Sequence, residues 1–153
     1  MAVKPEAQSV TAYLIVKGAA QALEFYCRAF GAQETFRLAE PSGRIGHSEF
    51  RIGASTVMLA DEYPDFGALA PPSMGGSPVN LHLRVDNVDE VMHRAIAAGA
   101  TQLRAPKDEF YGERAGMLAD PFGHRWHVAS QVEEVSMEQM QERFTAIMTT
   151  AGK

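Results

Sequence analysis

The feature that most constrains this chain is a repeat. Tyr13-Leu14-Ile15-Val16 superposes on His82-Leu83-Arg84-Val85 at an offset of 69, and Thr56-Val57-Met58-Leu59 superposes on Arg125-Trp126-His127-Val128 at the same offset. An offset that holds at both ends of a segment means one supersecondary unit used twice. At 153 residues and 46% hydrophobic content the chain can bury one sizeable core, so the two copies are expected inside a single domain, 1–153.

Each copy reads as strand, helix and three strands. In the first, a strand over 10–16 leads to a helix over 20–30, where Leu23, Tyr26, Cys27 and Phe30 share one face and Gly31 ends the run. Strands follow at 34–39, 46–52 and 54–59, punctuated by Pro41-Ser42-Gly43 and Gly53. In the second, a strand over 79–85 leads to a helix from about 88 to 98 with Val88, Val91, Met92, Ala95 and Ile96 inward. Asn87 and Glu90 have capping-box spacing there, and Gly99 closes the element. Strands at 101–105, 115–119 and 125–129 complete it, with a long polar passage over 106–114. Module one is thus expected at about 9–62, a Gly- and Pro-rich linker at 63–78, and module two at 79–130. A final helix, about 136–149, carries Met137, Met140, Phe144, Ile147 and Met148 on one side, with Ser136 and Gln139 as its capping box. That helix either docks on its own domain, or covers a neighbouring subunit or the cleft, and the last residues are expected to fray. The class is α+β: paired βαβββ modules whose sheets curve around a cleft.

Charge removes several functions. Fourteen Lys plus Arg against nineteen Asp plus Glu give a net charge of −5 with no basic run, which argues against a nucleic-acid partner. Neither the first ten residues nor any later stretch holds the roughly 18 consecutive apolar residues that a leader or membrane span would call for, so no membrane is expected. Cys27 is the only cysteine. It excludes an internal disulfide, suits the cytoplasm, and reads as a buried structural thiol on its helix face.

Strand alternation then sorts side chains by face. With Leu14, Val16, Phe50, Ile52, Val57 and Leu59 packed on a helix, the opposite face of the first sheet carries Thr11, Tyr13, His47, Glu49, Arg51 and Met58. With Leu81, Leu83, Val85, Trp126 and Val128 inward, the second presents Asn80, His82, Arg84, Arg125 and His127. Two polar faces related by a repeat point to a shared concavity for a small molecule. His47 and Glu49, two apart, are candidates for acid–base work, and His127 joins them as a catalytic candidate. Thr11, Tyr13, Arg51, Met58, Asn80, His82, Arg84, Tyr111 and Arg125 are the candidate ligand-binding residues. The arginines suit an anionic group. Tyr111 sits in Phe110-Tyr111-Gly112-Glu113-Arg114-Ala115-Gly116, which reads as a loop overhanging the cleft. His93 reads as surface and His124 as a turn cap. Three histidines and a glutamate allow a divalent metal in principle, but no compact ligand spacing occurs, so no metal residue or cofactor is assigned. Phosphate loops, dinucleotide fingerprints and nucleophile elbows are absent.

Several segments together resemble one superfamily. These are Tyr13 to Val16, Ala22-Leu23-Glu24-Phe25-Tyr26 with Phe30-Gly31-Ala32, Gly46-His47-Ser48-Glu49-Phe50 with Met58-Leu59-Ala60-Asp61, and above all Asp120-Pro121-Phe122-Gly123-His124-Arg125-Trp126. Over residues 9 to 143 the chain resembles the vicinal oxygen chelate superfamily of glyoxalases, bleomycin-resistance proteins and extradiol dioxygenases, and within it the PhnB-like subgroup. The resemblance implies the glyoxalase-like fold and a homodimer. Metal-using relatives place ligands at positions matching Thr11, Met58, Asn80 and His127, of which only His127 is a strong ligand, so the resemblance implies a protein without the common metal centre. Because the superfamily spans isomerisation, epimerisation, ring cleavage and sequestration, the fold alone selects no reaction. Three functions stay open. The first is binding of a small polar or aromatic metabolite with His/Glu acid–base chemistry. The others are a metal-dependent lyase, isomerase or dioxygenase, and sequestration or resistance without turnover.

Overall fold

The computed structural model describes residues 7–151. The readings made of the chain's first residues and of its fraying end fall partly on 1–6 and 152–153, outside that range. The elements run β1 Tyr13–Val16, α1 Ala19–Phe30, β2 Gln33–Ala39, β3 Ile45–Ile52 and β4 Ser55–Asp61, then β5 Asn80–Arg84, α2 Val88–Ala97, β6 Thr101–Asp108, β7 Glu113–Ala119 and β8 Arg125–Gln131, and last α3 Met137–Ala151. Between the modules lie two short helical turns, Pro64–Phe66 and Pro71–Met74.

The strands form two four-stranded sheets, ordered β1-β4-β3-β2 and β5-β8-β7-β6. In each, the first strand lies parallel to the last, and the other neighbours are antiparallel. The repeat survives at the level of register. Tyr13 stands opposite Met58 and Leu14 opposite Leu59, while 69 residues later His82 stands opposite His127 and Leu83 opposite Val128.

One apolar cluster joins the two modules. The face of α1 bearing Leu23, Tyr26 and Phe30 packs on Leu14, Val16, Phe50 and Leu59, and α2 packs Val88, Val91, Met92 and Ala95 on Leu118 and Val128. Tyr26 stacks on Phe50 with ring centroids 5.1 Å apart, and Phe30 meets Trp126 of the other module at 4.7 Å. The two helices touch, and Arg94 Nε donates to the Ala29 carbonyl at 3.1 Å. Burial of such large side chains supplies most of the drive to pair the modules.

A buried polar knot ties the same junction. Asp120, 4% exposed, accepts from Tyr26 Oη at 2.5 Å, from Trp126 Nε1 at 2.9 Å, and from the backbone N–H groups of Phe122 and His124. The turn residues most diagnostic in the sequence are therefore structural. Burial, then the Asp120 carboxylate, holds the Tyr26 phenol well above its ordinary pKa, so it remains a donor.

Several sequence expectations are corrected. Cys27 is exposed, at the edge of its helix face, where its thiol donates to the Ala32 carbonyl. His124 does not cap its turn, which the Asp120 carboxylate caps instead; its ring Nε2 lies 2.9 Å from the Ile15 carbonyl at the edge of the first sheet. The polar passage over 106–114 is mostly strand, because β6 continues through Pro106 at register shifts and β7 starts at Glu113. Only residues 109–112 turn. Ser136 and Gln139 make the reciprocal cap, but α3 has no buried residue. Among the described residues no helix is long and apolar enough to cross a membrane.

Candidate functional site

Alternation along β3 is visible in burial. Ser48 and Phe50 are fully buried, with Ser48 Oγ donating to the Leu59 carbonyl, whereas His47 and Glu49 are only partly covered on the other face. The bond from β3 to β4 thus sets which side of the strand is available for chemistry.

On that face three side chains form a chain. Tyr13 Oη lies 2.8 Å from His47 Nδ1, and His47 Nε2 lies 3.3 Å from Glu49 Oε2. A carboxylate only accepts, so Glu49 favours the tautomer with its proton on Nε2, which leaves Nδ1 to accept the Tyr13 hydroxyl proton. Phe36 of β2 flanks the imidazole at 5.7 Å. Met58 stands beside the chain, opposite both Tyr13 and Glu49.

The second sheet carries a related arrangement. Tyr111 Oη lies 3.4 Å from His127 Nε2, and the His127 and His82 rings are 4.9 Å apart. Burial, then the charges of His82 and Arg104, lowers the His127 pKa below the ordinary imidazole value. Burial and the nearby Glu109 and Glu113 carboxylates raise that of Tyr111. Tyr111 is thereby kept as donor and His127 as acceptor. Glu113 Oε2 sits 3.8 Å from both His82 Nε2 and Arg84 Nη2.

The structure brings Tyr13, His47, Glu49 and Met58 together, and separately His82, Arg84, Tyr111 and His127. Among the described residues no hydrogen bond or ion pair links the two groups. Thr11 and His82 line one hollow between the β1–β4 edge and β5. Asn80, Arg51 and Arg125 are exposed, Arg125 beside the linker residues 74–78. Glu109 and Glu113 were missed because 106–114 read as loop. Counting in twos back from Met117, which faces His127 across the ladder, reaches Glu113 on the same face.

The four positions matched to metal ligands hold a hydroxyl, a thioether, an amide and one imidazole. That donor set does not fit a divalent cation, and among the described residues no three His, Cys, Asp or Glu side chains stand together as ligands.

The family model described as the Glyoxalase/Bleomycin resistance protein/Dioxygenase superfamily matches residues 8–128. The uncharacterized protein Mb0911c of Mycobacterium bovis is 42% identical over 147 residues, covering 94% of each chain. Protein PA1353 from Pseudomonas aeruginosa superposes with a TM-score of 0.67 at 22% identity, over 83% of this chain and all of that one. A PhnB protein from Bacillus cereus superposes with a TM-score of 0.63 at 19% identity, over 80% and 99% of the respective chains.

Proposed function

The chain belongs to the Glyoxalase/Bleomycin resistance protein/Dioxygenase superfamily, and from that membership we propose that it binds a small polar or aromatic metabolite on its polar sheet faces and acts on it through His47 and Glu49 without a metal. The observation that carries this reading is the Tyr13–His47–Glu49 chain. An imidazole held between a phenol and a carboxylate in hydrogen-bonded series is oriented to take up and return a proton near neutral pH. A surface serving only solubility has no need of it. His127, kept neutral beside Tyr111, polarises or positions the ligand from the second sheet.

The PhnB-like placement rests on the motif from Asp120 to Trp126, and a reducing compartment such as the cytoplasm suits the lone Cys27. A homodimer is part of the proposal. It is supported by α3, whose Met137, Phe144, Ile147 and Met148 are all exposed, an arrangement that a second copy would cover.

Calorimetry against a panel of small polar and aromatic metabolites tests the reading. At least one compound is expected to bind, with His47→Ala, Glu49→Ala and His127→Ala each weakening it by about tenfold while Tm stays within about 3 °C. No binder in the panel, with those substitutions silent, would sink it. Ligand recovered unchanged after long incubation would assign sequestration in place of turnover.

A further inference from the structure

Among His82, Arg84, Tyr111 and His127, only Tyr111 is not carried by a strand. It stands in the turn over 109–112, and α3 reaches back to hold that turn from outside. We infer that Arg143 of α3 is a positioning residue: by binding the Phe110 carbonyl and the Glu133 carboxylate together, it keeps Tyr111 over His127. The helix thereby serves the ligand face of the second sheet without touching a ligand. This rests on the reading above that His127 works on the ligand, and adds the residue that sets its surroundings.

Two bonds close the turn itself, from the Glu109 N–H to the Glu113 carbonyl and from the Gly112 N–H to the Glu109 carbonyl. Neither uses the carbonyls of Phe110 and Gly112, which flank Tyr111. Both of those are taken by the segment that follows β8. The Gly112 carbonyl accepts from the N–H groups of Val132 and Glu133 at 2.9 and 3.1 Å, and the Phe110 carbonyl accepts from Arg143 Nη1 at 2.9 Å. The same guanidinium donates to the Glu133 carboxylate, Nη1 to Oε1 at 2.8 Å and Nη2 to Oε2 at 3.3 Å. Its planar fork therefore grips both anchors of the turn, Phe110 directly and Gly112 through Glu133. The rings repeat the connection, since Phe110 lies edge-on to Tyr111 at 5.1 Å and meets Phe144 of α3 at 5.8 Å. The family model ends at residue 128, so this clamp is not among the features that membership brings.

Stability does not account for the arrangement. The Arg143 and Glu133 side chains are 39% and 50% exposed, and ion pairs so open to water add little to folding; α3 itself has no buried residue. Placement is what the clamp supplies. The 3.4 Å between Tyr111 Oη and His127 Nε2 is near the upper limit for a hydrogen bond, so a small shift of the turn breaks it. His127 would then lose cover and meet water, and its protonated form would be penalised less by burial. The other groups that act on its charge are His82 of β5, Arg104 of β6, Glu113 of β7 and Glu109 of the turn. Three of these four are on strands and stay where they are when Arg143 is changed.

NMR of the full-length protein without ligand tests this. Wild type should show NOE cross-peaks between the Tyr111 and His127 rings. Arg143→Ala should lose them, and the His127 titration midpoint should rise toward the ordinary imidazole value of about 6.5, while Tm stays within about 3 °C and the His47 ring signals on the first sheet do not move. Arg143→Lys, which keeps the charge and a donor but lacks the fork, should retain the cross-peaks at reduced intensity. Unchanged cross-peaks and an unchanged His127 midpoint in Arg143→Ala overturn the inference. So does a fall in Tm in which His47 signals move as far as those of His127, since that is general loosening. Because no ligand is present, failure here leaves the metabolite-binding reading standing, and a metabolite panel with no binder leaves this result standing.

Discussion

Tyr26 of the first module donates its hydroxyl proton to the Asp120 carboxylate of the second, 94 residues away and buried, at 2.5 Å. Replacing Asp120 with Ala strands four donors: the Tyr26 hydroxyl, the Trp126 indole and two backbone N–H groups. Urea unfolding should register a loss of at least about 3 kcal/mol, and Tyr26→Phe, which strands only the carboxylate's share, about 1 to 2 kcal/mol. Equal stability of Asp120→Ala and wild type would mean that the apolar contacts alone hold the modules together.

His127 makes stability depend on pH with a definite sign. Its folded pKa is lowered, first by burial and then by His82 and Arg104, so the unfolded chain binds the proton more readily. Its contribution is complete above the ordinary imidazole value of about 6.5 and is lost as pH falls from there toward the folded value. His127→Gln should flatten the fall of Tm as pH drops below about 6.5. An unchanged profile would contradict the assignment.

Gly112 controls where Tyr111 stands. Its φ is +90°, and an added Cβ would run into the Glu133 carbonyl and the Val135 side chain. Its own carbonyl accepts from the N–H groups of Val132 and Glu133. Gly112→Ala should cost about 2 kcal/mol and shift the His127 ring resonances as Tyr111 moves. Retained stability with unshifted resonances would show that the turn has another conformation available.

The exposed face of α3 predicts association. Light scattering should give twice the chain mass of 16.7 kDa, and Phe144→Glu with Ile147→Glu should give the single-chain mass with helix content preserved. A wild-type protein that stays monomeric at high concentration would contradict the homodimer.

Much of the fold was legible because local periodicity and the repeat agreed. Leu23, Tyr26 and Phe30 did face the core, and the 69-residue offset reappears as the same register in both sheets. Cys27 was misread because a helix face has edges, and a spacing of four from Leu23 places it on the rim. The strand content of 106–114 was hidden by Pro106 and by charge, both of which an edge strand such as β6 tolerates. In the candidate site, parity separated faces and grouped His47 with Glu49. It carries no distances, so it could not tell that Tyr13 closes on Nδ1 or that the His127 group keeps to its own sheet. The 2.5 Å bond from Tyr26 to Asp120 was equally invisible, since it joins segments that are far apart in the chain.

The functional account turns on the two nitrogens of one imidazole, and 15N NMR of His47 reads them directly. The predicted spectrum has Nε2 protonated and Nδ1 unprotonated, with the Nδ1 shift moving when Tyr13 is changed to Phe. A proton on Nδ1, donated toward the Tyr13 oxygen, would reverse the chain and contradict the account.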